Sequence, residues 1–401
     1  QAAFKTAQID STLIDHTVAG KKLGLAIILK DLVLNESHIT IHDGQTDSLL
    51  LSLKNFNLDV SDIEVSDRTI AHSIPFIGED YDVQSDSIFI KISPYENLQI
   101  AQVNGDHNYT FLSGITYGTT LSKTDFDAGL IEEKDHYSIF IDSVQFQNLG
   151  LESTGQEDLI SFSAQKISIV QPKIGIYRNK LLPDSYSEKP MYSSLLRESP
   201  INIQIDSLQL KDAQFTYVER SKWENKGGKL EFNKMNVDIT RLGNTYKNDT
   251  QVRLTTLFMG SAPFEGTWSF NVLDPNDVFT FEGELHGLAL NELNAFTQPY
   301  ADTRLEGIMQ DVYFNIYGNG ETSTVDLKCK FNDVSIFLLK PGTRKKKKLL
   351  SALANVLVST NSKHRGEDFK QVSVNVQRDK TKSSWNYIFK NIEEGMKKVL
   401  L

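Results

Sequence analysis

A single cysteine, few prolines and no long apolar run mark this 401-residue chain. The lone thiol, Cys329, excludes an internal disulfide framework and a cysteine-built zinc site. It sits in Val325-Asp326-Leu327-Lys328-Cys329-Lys330-Phe331, whose alternation turns it inward from a strand, so its expected role is packing. Leu23 to Leu29, the longest apolar stretch near the N-terminus, falls far short of the ~20 residues that a bilayer crossing needs, so the chain reads as soluble. The first residue is Gln1, which implies a removed preceding segment.

Catalytic patterns are missing as well. No serine lies in a Gly-x-Ser-x-Gly elbow, and the glycine turns lack the spacing of a phosphate-binding loop. On a strand His38 and His42 stand ~13 Å apart, too far to share one ion, and are expected to face solvent beside buried Ile39 and Ile41. Carboxylates are abundant but unfocused. No catalytic residue, metal ligand or cofactor is assigned, and the chain is expected not to be an enzyme. The enzymatic alternative is a glycan-cleaving carboxylate pair on an extended β-fold.

What is present is charge asymmetry and repetition. Residues 340–401 hold 15 Lys+Arg against 5 Asp+Glu, leaving 27 against 47 in the rest of a chain of net charge −10. An acidic body therefore carries a basic tail. Ile139-Phe140-Ile141-Asp142-Ser143-Val144-Gln145-Phe146 and Ile203-Gln204-Ile205-Asp206-Ser207-Leu208-Gln209-Leu210 are one phrase written twice, and Ile9-Asp10-Ser11 starts a weaker copy. Each has a companion: Ile160-Ser161-Phe162 leading into Ile167-Ser168-Ile169, Leu230 to Ile239, and Leu51 to Val60.

All of these phrases read with period two, so one strand face is apolar and the other polar. The alternation slips at Asp-Ser, where a bulge or bend must absorb the extra residue or the apolar set would turn to solvent. Further strands, Asp311–Tyr317 and Thr324–Phe331, meet through Gly318-Asn319-Gly320, a hairpin signal, and Lys226-Gly227-Gly228-Lys229 marks another turn. Residues 180–200 interrupt the strands with three prolines and a short helix over Tyr192–Glu198. Two amphipathic helices are predicted near the end, one through Leu349, Leu350, Leu353, Val356 and Leu357, the other through Trp385, Ile388, Phe389, Ile392, Met396 and Val399. The predicted fold is mostly β: an elongated, curled antiparallel sheet of repeated strand units with these helices at its C-terminal end. Its regions are 1–135, an N-terminal β-repeat; 136–340, the main groove; and 341–401, the basic helical tail.

The phrases Ile174 to Pro183, Ser194-Leu195-Leu196-Arg197, Ile205 to Leu210 through Phe215-Thr216-Tyr217, and Leu230 to Leu242 resemble the AsmA-like envelope proteins, especially Bacteroidetes-type forms. Phe281-Glu282-Gly283 through Gly307, Leu353-Ala354-Asn355 and Trp385 to Gly395 resemble the C-terminal region that those proteins share with the domain of unknown function 748 group. The resemblance covers residues 139–401; the first 135 match in style alone. It implies a periplasmic body on an N-terminal inner-membrane anchor, and a β-taco-like sheet whose concave face is a hydrophobic groove. Relatives such as TamB and YhdP, of the bridge-like lipid-transfer group, imply phospholipid passage between inner and outer membranes. This chain is shorter than the long bridging members.

Twelve residues are the groove candidates: Ile141, Val144, Phe146, Ile167, Ile169, Ile205, Leu208, Leu210, Phe215, Phe232, Val237 and Ile239. Their function would be to hold acyl chains; the alternative is burial against a second sheet or one another. Arg344, Lys345, Lys346, Lys347 and Lys348, with Trp385 and Phe389, are candidates for membrane contact, against a solvated loop and a capping helix. Nucleic acid is excluded as a partner by the acidic body and the lack of a recognition motif. The function read from these features is binding or conducting phospholipid, or a similar amphiphile. The alternative is an envelope scaffold or assembly factor whose exposed strand edges pair with outer-membrane proteins.

Overall fold

The computed structural model describes residues 27–65, 80–154, 159–339, 361–362 and 368–400. The chain is mostly β, with one large, mostly antiparallel sheet of 18 strands and a C-terminal helix. The sheet opens with β1 (Ile27–His42), β2 (Leu49–Val65), β3 (Asp80–Ser85), β4 (Ser87–Lys91), β5 (Glu96–Asp106) and β6 (Tyr109–Thr119). Helix α1 (Lys123–Ala128) leads into β7 (Asp135–Gln147), β8 (Gly150–Thr154), β9 (Leu159–Val170) and β10 (Lys173–Asn179). After α2 (Tyr192–Arg197) come β11 (Asn202–Arg220), β12 (Gly228–Gly243), β13 (Thr250–Phe258), β14 (Ala262–Phe270) and β15 (Phe279–Ala289). Helix α3 (Asn294–Ala301), β16 (Thr303–Gly318), β17 (Thr322–Leu338), β18 (Lys370–Gln377) and α4 (Ser384–Leu400) follow.

Three strands are interrupted without losing register: β3–β4 and β9–β10 continue against the same neighbours across the break, and β8 continues β7 against β9. The 18 strands therefore make fifteen rows, each paired to the next in chain order. At ~4.8 Å per step, fourteen steps measure roughly 67 Å. No strand pairs with the outer edge of β1 or β18 among the described residues, so the sheet is open and not a barrel. Every step is antiparallel except that from β9–β10 to β11, which is parallel. A parallel neighbour cannot be reached by a tight turn, and residues 180–201, with α2, supply the long crossover.

The two-part sequence unit is an antiparallel pair of rows. The first phrase lies in β7 and its companion in β9; the second lies in β11 and its companion in β12. Each Asp-Ser does mark a break, but on two different lines across the sheet. One line runs through Glu36, Asn55, Gly114, Gln171, Asp212 and Lys234, all at positive φ. On it the β6–β7 pairing skips Gly114 and Asp142, and Gln171 Nε2 donates to Asp212. On the other line the β11–β12 pairing skips Asp206 opposite Arg241, at φ 55°, and Asn148 Nδ2 donates to Gln165 Oε1 at 2.6 Å. Beyond each break the register resumes, and Ile203, Ile205 and Leu208 stay together on one face.

The sheet is also curled. Glu133, just before β7, lies 3.5 Å from Lys382 Nζ, just after β18. Those rows are nine steps apart, about 43 Å in a flat sheet, and the contact joins opposite strand ends. Accumulated twist and curvature across the rows bring them together.

The predicted hairpin over Gly318-Asn319-Gly320, the turn at Gly227-Gly228 and the helices at Tyr192 and Trp385 are all present. The Leu349 helix and the Ile9 copy lie outside the described residues. Ile39 and Ile41 are corrections: on β1, beside which β2 is the one strand among the described residues, Ile39 is half-buried and Ile41 is 51% exposed. The sheet continues without a break through residue 135, where β6 and β7 pair along most of their length.

Candidate functional site

Cross-strand pairing arranges the apolar side chains into rows that run across the strands. Ile39, Leu53, Ile88, Ile100, Ile115 and Ile141 are successive partners from β1 to β7. Past the first crease, Val103, Leu112, Val144, Ile169, Leu210, Val237 and Leu254 continue from β5 to β13. Alongside them Phe146, Ile167, Leu208, Ile239, Val252, Trp268, Phe281, Ile316, Val325 and Val374 cross from β7 to β18 without a polar member. A fourth row sets Ile139, Ile174, Phe215, Phe232 and Phe258 side by side. Partners in such a row share a face, so the pairs add up to one continuous apolar surface.

Eleven of the twelve groove candidates lie on these rows, and Ile205 stands beside them, paired with Ala164 and Leu242. Val144, Ile167 and Ile205 are buried, and the other nine are half-buried. Phe215, Phe232 and Phe258 touch in series, with ring centroids 5.8 and 5.0 Å apart. Reading the sequence missed the contribution of β4 to β6, namely Ile88, Leu98, Ile100, Val103, Leu112 and Ile115. The alternation of Leu98 and Ile100 is the signal available there; the skipped residues Ala101 and Gly114 break it up.

Along the same rows the face changes character. From β14 to β18 it is roofed. Helix α4 lays Tyr387, Ile388 and Val399 onto it, and the crossover adds Met191, Tyr192 and Leu196. Trp268 meets Trp385 at 5.4 Å and Tyr192 at 5.7 Å, and Phe279 meets Tyr387 at 5.9 Å. Ser323 Oγ donates to Oδ1 of the fully buried Asn391 at 2.8 Å, and Asn391 Nδ2 donates to the Tyr387 carbonyl. Gly395 lets α4 approach the sheet, since a Cβ there would stand 2.9 Å from Leu327 Cδ1. From β1 to β12 no helix or second sheet lies over the face among the described residues. Helix α1 packs at strand ends, with Phe126 against Tyr95 and His136, and α3 at the β11–β12 turn through Ser221 and Asn225.

The roof is fastened by two polar clusters that the sequence did not announce. Glu133, its side chain 1% exposed, is held by charge between Lys180 Nζ at 2.5 Å and Lys382 Nζ at 3.5 Å, and both lysines also reach Asp184. Burial works against the Lys180 ammonium, but Glu133 and Asp184 outweigh it and raise its pKa. Asp277, between β14 and β15, accepts from Ser193 Oγ at 2.8 Å, Ser194 Oγ at 2.6 Å and Arg197 Nη2 at 3.0 Å, pinning α2. Although burial pushes its pKa upward, these donors bring it below the usual carboxylate value.

Of the membrane-contact candidates, Trp385 and Phe389 project from the flank of α4, with Trp385 packed on Trp268 and Phe281 while staying 40% exposed. Arg344, Lys345, Lys346, Lys347 and Lys348 lie outside the described residues. No group of three His, Cys, Asp or Glu side chains is arranged to hold a metal among the described residues. No helix among them is long and apolar enough to cross a membrane. No protein-family model matches the chain, and no curated protein matches its sequence.

Proposed function

We propose that this chain is a periplasmic AsmA-like protein that shelters or conducts phospholipid, or a similar amphiphile, along its apolar face without covalent chemistry. The observation that carries the reading is the unroofed stretch from β1 to β12, where most of the Ile, Leu, Val and Phe side chains in the rows lie half-buried around a smaller buried set, with no covering layer among the described residues. An apolar surface of that extent costs about 25 cal/mol for every Å² left in water, and hydrocarbon chains remove that cost without asking for hydrogen bonds. The resemblance to AsmA-like phrases supports the same reading, together with an inner-membrane anchor ahead of this chain and contact of the basic tail with a membrane surface.

The test is mass spectrometry of protein purified without added lipid, beside the variants Leu208→Asp and Phe215→Asp. Co-purifying phospholipid that falls in both variants while folding survives is the expected result, and unchanged lipid content would count against it. A second reading rests on β1, whose outer edge pairs with no strand among the described residues and which carries the exposed Leu29, Leu32, Val33 and Ile41. Such an edge could add a strand from an outer-membrane protein. Lipid-free protein that captures unfolded barrel strands would favour it.

A further inference from the structure

We infer that the corner where α4 meets the sheet, at Trp268 and Trp385, is the blind end of the trough, and that it seats the terminal-methyl end of one acyl chain lying along the rows. The inference rests on the amphiphile reading above and adds where the chain stops and which way it points.

Two rows lead from the open face into this corner without a polar side chain: Phe146 to Val252 and Val144 to Leu254, each entering from β7. The next partners are Trp268, already 5% exposed beneath Tyr192 and Trp385, and Gly266, over which the Phe264 ring and Leu254 close the apolar floor. The wall is α4. Trp385 and Phe389, one turn apart and 40% and 47% exposed, point from its flank, and the half-buried Ile392 and Met396 continue the same stripe. The ion-paired Lys390, Glu393, Glu394 and Lys397 occupy its solvent side. An apolar floor thus runs into an apolar wall.

The occupant follows from continuity with the α4 interface. Beyond the corner the same rows are covered by Tyr387, Ile388 and Val399, so this surface already accepts an apolar rod. On the open side the rows offer no hydrogen-bonding side chain to the polar flank of a peptide, which suits hydrocarbon. Burying a headgroup in such a corner would strand its polar atoms at a cost of several kcal/mol, so the methyl end goes in and the headgroup stays toward the open rows.

The chain's three tryptophans make the test direct. Trp223 lies in the exposed β11–β12 turn, and W223F leaves Trp268 and Trp385 as the reporters. The W223F protein is loaded with phosphatidylethanolamine brominated near the ester, at mid-chain or near the terminal methyl, with bound phosphorus measured in parallel. The expected result is a loss of tryptophan emission that deepens as the bromine moves toward the methyl end, with part of it persisting through Trp268 after Trp385→Phe. Bound phosphorus with no quenching, or with quenching greatest near the ester, overturns the inference and leaves the amphiphile reading standing. No bound phosphorus overturns both, as does a response confined to an added barrel-strand peptide.

Discussion

One apolar surface has two fates in this protein. From β14 to β18 the surface lies under α2 and α4, and Phe281, Ile316, Val325 and Leu327 are almost wholly buried. From β1 to β12 most partners in the same rows stay half-buried, with Ile100, Ile115, Val144 and Ile167 buried among their neighbours. The residue types do not differ, since Ile, Leu, Val and Phe serve in both. The difference lies in what covers them: hydrophobic composition sets which face is apolar, while the connections decide whether it is closed. A roof needs residues long enough and placed to cross the strands, and here they come from the parallel crossover and the tail, not from the meander.

The sharpest way to break the comparison is to truncate matched residues in one row. Ile316→Ala under the roof should cost ~4 kcal/mol, because no neighbour can collapse into the space, whereas the half-buried Ile239→Ala should cost ~1 kcal/mol. Urea denaturation of both variants measures the difference. Equal costs would mean that the open face is covered after all.

Next comes the fastening. Glu133→Ala removes the carboxylate between Lys180 and Lys382 and should cost ~3 kcal/mol, as expected when one member of a buried ion pair is lost. Adding Lys382→Met should give back part of that loss, since the stranded ammonium is gone too, and a double-mutant cycle reads the coupling. Additive costs would separate the two groups.

Asp277→Asn should cost ~2 kcal/mol through weakened charged hydrogen bonds to Ser193, Ser194 and Arg197. The pH dependence has a fixed sign. The folded carboxyl titrates below its ordinary value of 3.8, so its contribution is fully present above that value and is lost as pH falls through the folded pKa. Denaturation midpoints of the parent should therefore fall more steeply below about pH 4 than those of D277N. Parallel pH curves would show that α2 is held by its apolar contacts alone.

Much of the sheet was legible because its cause is local. Period-two phrases name the strands and their inner face, and the slips at Asp142 and Asp206 foretell the two creases, because an odd residue must be absorbed where it occurs. The apolar-face residues of β7, β9, β11 and β12 were legible for the same reason. The rows were not legible, since row membership depends on register between strands, and Ile88 or Ile115 gains meaning only beside its partners. The roof was hidden more deeply. Residues 180–200 read as an interruption, and nothing in the chain says that Glu133 meets Lys382, because twist summed over nine rows brings them together.

The smallest effect on stability comes from a chemical probe of the roof. Cys329, the only thiol, lies on β17 beneath it, wholly buried between Val312 and Lys370 in the ladder, and burial pushes its pKa up to about 12. A thiol so placed is unreactive while the roof is closed, because the attacking species is the thiolate and it must be reached by solvent. Labelling with a disulfide reagent at neutral pH should therefore be slow in the parent and in Ile239→Ala, whose change lies on the open side. It should accelerate in Glu133→Ala and Asp277→Asn, where the crossover and the start of α4 lose their anchors, at urea concentrations too low to unfold the sheet. Equal labelling rates in all four proteins would mean that the thiol is exposed only by global unfolding, and that roof and sheet form one cooperative unit.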